Sequence, residues 1–333
     1  MSSSMLSVQK FEEHKAHPAQ TKKSLKVKHF IGDYGILLIL AIVMVVLTFT
    51  ANNFLTVDNI TNVIRQSSIV GLVALGMTFV MITAGIDLSV GSVVGLAGMM
   101  AAMSAPATGN AFILPILVGL AVGAFVGFVN GAMVVWGSIL PFLATLAMMA
   151  VARSATLVIS GGKPVSDVSA PFEWLGAGFV GPIGVPILIF LGAAAIAEFV
   201  LSKTRFGQHV YAVGGNEESA QKVGIPVKRV LVVVYMISGL TAALAGIVLT
   251  ARLDGAAPLN GTGYELQAIA AVVIGGTSLF GGVGTIRGTI LGVLLLGVVM
   301  NGLNLLGVSS YYQQAVQGLI LVIAVLLSRW KSD

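Results

Sequence analysis

The chain has 333 residues, 56% of them hydrophobic and only 9% charged, with mean hydropathy +0.98. A soluble domain carries roughly 25% charged residues, so this composition excludes a soluble enzyme and implies an all-α polytopic membrane protein. The net charge of +5 is then topology information, not a nucleic-acid signal, and the lack of Cys excludes a disulfide framework and a thiol metal site.

Residues 1–29 hold six of the eighteen Lys and Arg, with little apolar periodicity. They read as a disordered basic tail. No apolar core follows a short basic start, so the tail is not a cleavable signal peptide. A span needs about 20 apolar residues. Residues 36–49 with their flanks give the first. The polar, amphipathic segment 52–65 reads as an interfacial helix after it. Further spans follow at 66–84, 91–105, 111–136 and 139–159. Residues 160–183 are rich in Gly and Pro and read as a loop with at most a short helical turn. Spans resume at 185–201, 230–251, a weaker 265–281, 285–306 and 312–327. The total is about ten transmembrane helices in a domain covering 30–333.

Lys and Arg orient such a chain with its basic loops inside. An even number of spans puts the basic tail, the stretch 203–229 and the C-terminal Arg329 and Lys331 all in the cytoplasm, with 160–183 outside. Arg65 and Arg252 fall singly on the outer side. No long internal repeat is visible.

Glycines recur every four residues at 119, 123, 127 and 131, and at 284, 288 and 292. That spacing puts them on one helix face, where close helix packing is favoured over a lined pore. Charges within a membrane are functional candidates by default. Asp87 is the one charge between residues 66 and 152. It sits at a span end, where capping of the third helix is favoured over ion binding. Arg153 has two equal readings, a hydrogen bond to a polar substrate or snorkelling to the headgroups. Glu198, near an inner end, is expected to pair with Lys203. Asn130, Asn301 and Asn304 carry amides that suit sugar hydroxyls. They equally suit helix–helix hydrogen bonds, the favoured reading.

No catalytic or metal motif is present. The GGNEE of 214–218 is not followed by Gly-Lys-Ser/Thr, so there is no nucleotide-binding P-loop. There is no His-Glu-x-x-His, and three of the four His lie in the tail. No catalytic residue, cofactor or metal is expected, and any energy for active transport has to come from a partner or an ion gradient.

The stretch KTRFGQHVYAVGGNEESAQKVGIPVKR, 203–229, is a polar island between apolar regions. Asn216 is a natural N-cap, and Glu217 and Glu218 follow in the first turn, where negative charge suits the helix dipole. Gly224 and Pro226 end the helix. About two turns of helix thus stand between basic flanks. They either meet a cytoplasmic partner or form a solvated connector.

AVGGNEESAQKVGIPVKRVLVVVYMISGLTAALAGIVLTARL at 212–253 resembles the cytoplasmic loop and following helix of ribose-type sugar ATP-binding-cassette (ABC) transporter permeases. TAGIDLSVGS (83–92), GTGYELQAIAAVVIGGTSLFGG (261–282) and NGLNLLGVSSYYQ (301–313) resemble the same family. The likeness runs from Asn53 to the C-terminus, in four blocks in the family's order. It implies a bacterial inner-membrane permease subunit, working as a pair with two cytoplasmic ATP-binding subunits and a periplasmic sugar-binding protein. That protein is expected to dock near 160–183 and 254–264. Gly214, Gly215, Asn216, Glu217, Glu218, Ala220 and Gly224 are implied as the ATPase-coupling loop. Asp87, Asn130, Arg153, Asn301 and Asn304 are the candidates for a translocation path. The substrate is expected to be a monosaccharide, ribose first. The rival is an ion-coupled secondary transporter. It needs a buried carboxylate relay, for which only Asp87 and Glu198 are on offer.

Overall fold

The computed structural model describes residues 22–106, 109 and 112–332, with side chains between 35 and 326. Its elements in order are α1 (Lys22–Thr50), α2 (Val57–Ile82), α3 (Val90–Met103), α4 (Ile113–Val135), α5 (Pro141–Ser160), β1 (Val165–Ser166), α6 (Ala170–Ala177), β2 (Phe179–Val180), β3 (Ile183–Gly184), α7 (Val185–Lys203), α8 (Arg205–Gly215), α9 (Glu217–Lys222), α10 (Val227–Arg252), β4 (Gly255–Ala256), α11 (Tyr264–Ile274), α12 (Ile286–Leu305) and α13 (Ser310–Ser332). Among the described residues, α2, α4, α5, α7, α10 and α12 are long and apolar enough to cross a membrane. Four shorter apolar segments, Gly35–Thr50, Val90–Met103, Tyr264–Ile274 and Ser310–Leu326, accompany them.

Three expectations shift. The first 21 residues of the tail expected to be disordered lie outside the described residues, and from Lys22 the chain is already helical, so the boundary at 30 moves back into the tail. The separate interfacial helix at 52–65 is absent. Thr56 caps α2 by accepting from Asn59 N at 3.3 Å, and one helix runs on to Ile82. No Gly or Pro interrupts it before Gly71, and its polar residues find partners: Asn59 on Asn301, Asn62 on Arg252, Arg65 on the Gly176 carbonyl. The weaker span at 265–281 stops at Ile274, where Gly275 and the left-handed Gly276 turn the chain.

Two 26-residue helices, α2 and α10, form the centre. They run antiparallel: Asn62 meets Arg252, while Gly76 lies against Ser238 and Thr241. The α4 glycines pack onto α10, as the favoured reading expects. A Cβ on Gly123, Gly127 or Gly131 would run into the backbone of Gly239, Tyr235 or Val232. In the second ladder, Gly288 and Gly292 lie against Gly275 and Ala271 in the same way.

The packing repeats where the sequence does not. α10 lies on α3 and α4 as α2 lies on α11 and α12, and α3 meets α4 and α5 as α11 meets α12 and α13. Since α2 and α10 are antiparallel, the two sets of four are inverted. The short members, α3 and α11, start beside one another inside the bundle, for a Cβ on Gly91 would overlap the Glu265 carboxylate and the Gly261 carbonyl. At 1.5 Å per residue they are about 21 and 16 Å long, against a hydrocarbon core of about 30 Å. Both are half-length helices diverging from a common interior point.

One end of the bundle is covered by loops. β1 pairs with β4, Asp167 N donates to Asp254 O, and Ser169 N donates to Ala105 O. The opposite end carries α8 and α9.

Candidate functional site

Near the loop-covered end, α2, α11, α12 and α13 leave a cavity of about 140 Å³. Its apolar wall includes Val63, Val70, Val293 and Leu296, and its polar wall is built mainly of amides. Asn62 and Gln66 come from the first half of α2, Gln267 from the first turn of α11, Asn301 and Asn304 from the last turns of α12, and Gln313 and Gln317 from the start of α13. Asn301 is fixed by a reciprocal pair: its Nδ2 donates to Asn59 Oδ1 at 2.8 Å, and Asn59 Nδ2 donates to Asn301 Oδ1 at 3.1 Å. Gln313 Nε2 donates to Val308 O and Gln317 Nε2 to the Met300 sulfur. The amides of Gln66, Gln267 and Asn304 carry no hydrogen bond to the described residues, and the buried Ser67 hydroxyl is also unpartnered. Each free amide offers both a donor and an acceptor. Such groups cannot face hydrocarbon without cost, so this wall suits a ligand rich in hydroxyls, or water.

Of the five path candidates, only Asn301 and Asn304 line this cavity. Asp87 and Asn130 meet elsewhere, in the core. Asp87 Oδ1 accepts from Ser89 N at 3.0 Å and Ser89 Oγ at 2.6 Å, and Oδ2 accepts from Ser238 Oγ at 2.7 Å. Asn130 Nδ2 donates to Ser89 Oγ at 2.8 Å. All four are buried. This cluster pins the start of α3 to α4 and α10; Asp87 accepts from the N–H of Ser89, the residue that precedes α3, and not from a first-turn N–H of the helix, so it anchors the helix start without capping it. Arg153 lies away from this cavity. Its Nη1 donates to the carbonyls of Pro258 and Asn260, tying α5 to the segment that leads into α11.

Gln66, Gln267, Gln313 and Gln317 escaped the sequence reading, which weighed charges and asparagines alone. A signal was there: Gln313 and Gln317 stand four apart on one face of an apolar segment, where polar residues on one stripe mark a partnered surface.

At the opposite end, the stretch 203–229 folds as two helices rather than the single one expected. Thr204 caps α8 by accepting from Gly207 N at 3.2 Å. Phe206, Val210 and Val213, at helical spacing, turn inward onto the core. Tyr211 OH donates to Gly284 O at 2.7 Å; burial, and then the Glu198 carboxylate, push its hydroxyl above the ordinary tyrosine range. Asn216 caps α9 as expected, accepting from Ser219 N at 2.7 Å. Ala220 is buried, Gly224 is left-handed, and Glu217, Glu218 and Val223 stand exposed. Of the two glycines, only Gly214 makes a close approach; space around Gly215 is open. Glu198 pairs with Arg287 Nε at 3.1 Å, not with Lys203. Five residues along a helix turn through about 140°, so Lys203 points away from it.

A family model described as the branched-chain amino acid transport system permease component matches residues 59–325. The chain belongs to this permease family. The ribose import permease protein RbsC of Bacillus subtilis (strain 168) is 46% identical over 318 residues, covering 94% of this chain and 98% of that protein. The D-allose transport system permease protein AlsC of Escherichia coli (strain K12) is 42% identical, covering 93% and 96%. The L-arabinose ABC transporter permease protein AraH of Azospirillum brasilense is 36% identical, covering 92% and 90%. No solved structure matches. In the permease, Asp87 and Glu198 do not form the relay an ion-coupled carrier needs. One is held by serines and the other by Arg287.

Proposed function

We propose that the chain is the membrane-spanning permease subunit of an ABC importer for a monosaccharide, with ribose as the first substrate. Family membership and the sugar-permease relatives support the class, and the relatives give the ion-coupled alternative no support. The ribose permease is the more similar of the three named above, which favours ribose over allose and arabinose.

The observation that carries the reading is the amide-walled cavity. Its Asn and Gln side chains lie in the half of the bundle toward the loop-covered end. The basic tail and the basic 203–229 stretch put that end outside, on a ten-span topology made of the six long helices and the four shorter ones. A sugar released by a periplasmic binding protein, docked on the loops 160–183 and 254–264, then meets unpartnered amides first. Each amide–hydroxyl bond is weak in net terms, about 1 kcal/mol, so the wall accepts a sugar without trapping it. A second copy of the chain pairs with this one in the bacterial inner membrane. Cytoplasmic ATP-binding subunits dock on the surface of Asn216, Glu217 and Glu218. ATP closure moves α8 and α9, and the bundle alternates its access.

The test is uptake in proteoliposomes holding this chain with its cognate ATP-binding subunit and binding protein. Ribose accumulation should require ATP and persist without an ion gradient. The paired substitution Gln66→Leu and Gln267→Leu should lower it by about tenfold, the effect of losing one or two such bonds. Uptake driven by an ion gradient alone would refute the importer reading.

A further inference from the structure

α8 ends against two turns, one from each half of the inverted bundle. The first, residues 83–89, leads from α2 into α3. The second, residues 275–285, joins α11 to α12. The last carbonyls of any helix lack partners inside it, and Ile82 O, at the end of α2, accepts from Gly282 N–H in the other turn at 2.9 Å. Gly214 sits directly over this bond. A Cβ there would fall on the Ile82 oxygen and within 2.8 Å of Gly282 N. From the other side, a Cβ on Gly281 would come to 2.6 Å of Gly214 O and 2.9 Å of Ala84 Cβ. One turn of helix earlier, Tyr211 OH holds Gly284 O.

Glycine is a poor choice inside a helix, and Gly214 is helical with no left-handed backbone angle to require it. The contact is what requires it.

We infer that Gly214 is a positioning residue, the seat through which α8 and α9 drive both turns at once. This rests on the permease reading. The Ile82–Gly282 bond ties the turns together, so a displacement of α8 reaches both halves of the bundle. One turn carries Asp87, which anchors α3. The other ends in Thr285, which caps α12 by accepting from Gly288 N at 3.0 Å. α12 in turn supplies Asn301 and Asn304 to the cavity. A bulkier residue at 214 wedges α8 off the seat while leaving the exposed surface of α9 free to bind its partner.

The experiment compares Gly214→Ala, Tyr211→Phe and Gly192→Ala in the reconstituted importer, reading ribose uptake, ATP hydrolysis and co-purification of the ATP-binding subunit. Gly192 lies in α7 with open space around it, and its variant should match wild type in all three. Gly214→Ala should keep hydrolysis and co-purification but lose uptake by about tenfold or more, within the usual span of coupling effects. Tyr211→Phe should show the same split in weaker form. Wild-type uptake in Gly214→Ala overturns the inference, and so does a parallel loss of uptake and co-purification. If Gly214→Ala does not reach the membrane, the split in Tyr211→Phe decides. If wild type itself shows no ATP-driven uptake, the permease reading fails instead. The seat then stands or falls on whether purified Gly214→Ala melts below Gly192→Ala.

Discussion

Replacing Asp87 by Ala should destabilise the protein more than any exposed change, and replacement by Asn should be far milder. The carboxyl accepts three hydrogen bonds, two on Oδ1 from Ser89 and one on Oδ2 from Ser238. Alanine leaves three buried donors without acceptors. One of them has an escape: the Ser89 hydroxyl can turn toward Asn130, whose Oδ1 is buried and unpartnered. Two donors then remain orphaned, at roughly 1–3 kcal/mol each, or about 2–6 kcal/mol together. Asparagine keeps an acceptor for Ser89 and offers an amide N–H that the Ser238 hydroxyl can rotate to accept, so its cost is one exchanged bond, about 1 kcal/mol. The assay is thermal unfolding of the purified protein in detergent, followed by loss of the monodisperse peak. Asp87→Ala should unfold well below wild type and Asp87→Asn within a few degrees of it, taking about 2 °C per kcal/mol as the lower figure for larger domains. Equal stability of Asp87→Ala and wild type would refute the anchoring role.

Arg153→Leu orphans the carbonyls of Pro258 and Asn260; a cysteine placed at Thr262 should then react faster with a membrane-impermeant thiol reagent than it does beside an intact Arg153. Glu217→Lys reverses a charge at the start of α9, at about 0.3–1 kcal/mol in the helix alone. That is too little to unfold the protein, so it should abolish co-purification of the ATP-binding subunit while insertion stays normal. Cysteines introduced by Ser219→Cys and Ser166→Cys should label from opposite faces of the membrane, Ser166→Cys from outside; labelling of both from outside would overturn the proposed orientation.

The apolar segments were legible because hydropathy and Gly/Pro punctuation act locally. Asn216 and Gly224 were legible for the same reason, since a cap depends only on residues within a turn of it. Polar partners were not. Glu198 looked free to take Lys203 until the helix turned it toward Arg287, a residue 89 positions away. Arg153 is an outer-side charge in sequence and a clamp on two carbonyls in space. The amphipathic face of α8 was missed because 203–229 read as one short helix between basic flanks, with the glycines at 207, 214 and 215 offering no helical signal. Gly207 and Gly214 are instead helical glycines in contact with the Leu201 and Ile82 carbonyls.

The inverted packing raises a question that side-chain size answers. The cavity between α2, α11, α12 and α13 has a counterpart position between α10, α3, α4 and α5. Small residues close the counterpart. Glycines at every fourth position bring α4 onto the α10 backbone, and Asp87, Ser89, Asn130 and Ser238 hydrogen-bond with one another there, with Asn130 Oδ1 alone of the four side chains left over. In the other half, Val293, Leu296 and Met300 of α12 line a gap beside the close contact of Gly297 with Ser67 of α2. The polar groups that line the gap are mainly amides, three of them without a hydrogen bond to the described residues. A close-packed, hydrogen-bonded polar cluster resists rearrangement, because a displacement leaves further buried donors or acceptors unmet. A gap with free amides has no such penalty. The two halves share a plan, but one closes over its own polar cluster, and the other leaves a gap lined by amides that have no hydrogen-bond partner among the described residues.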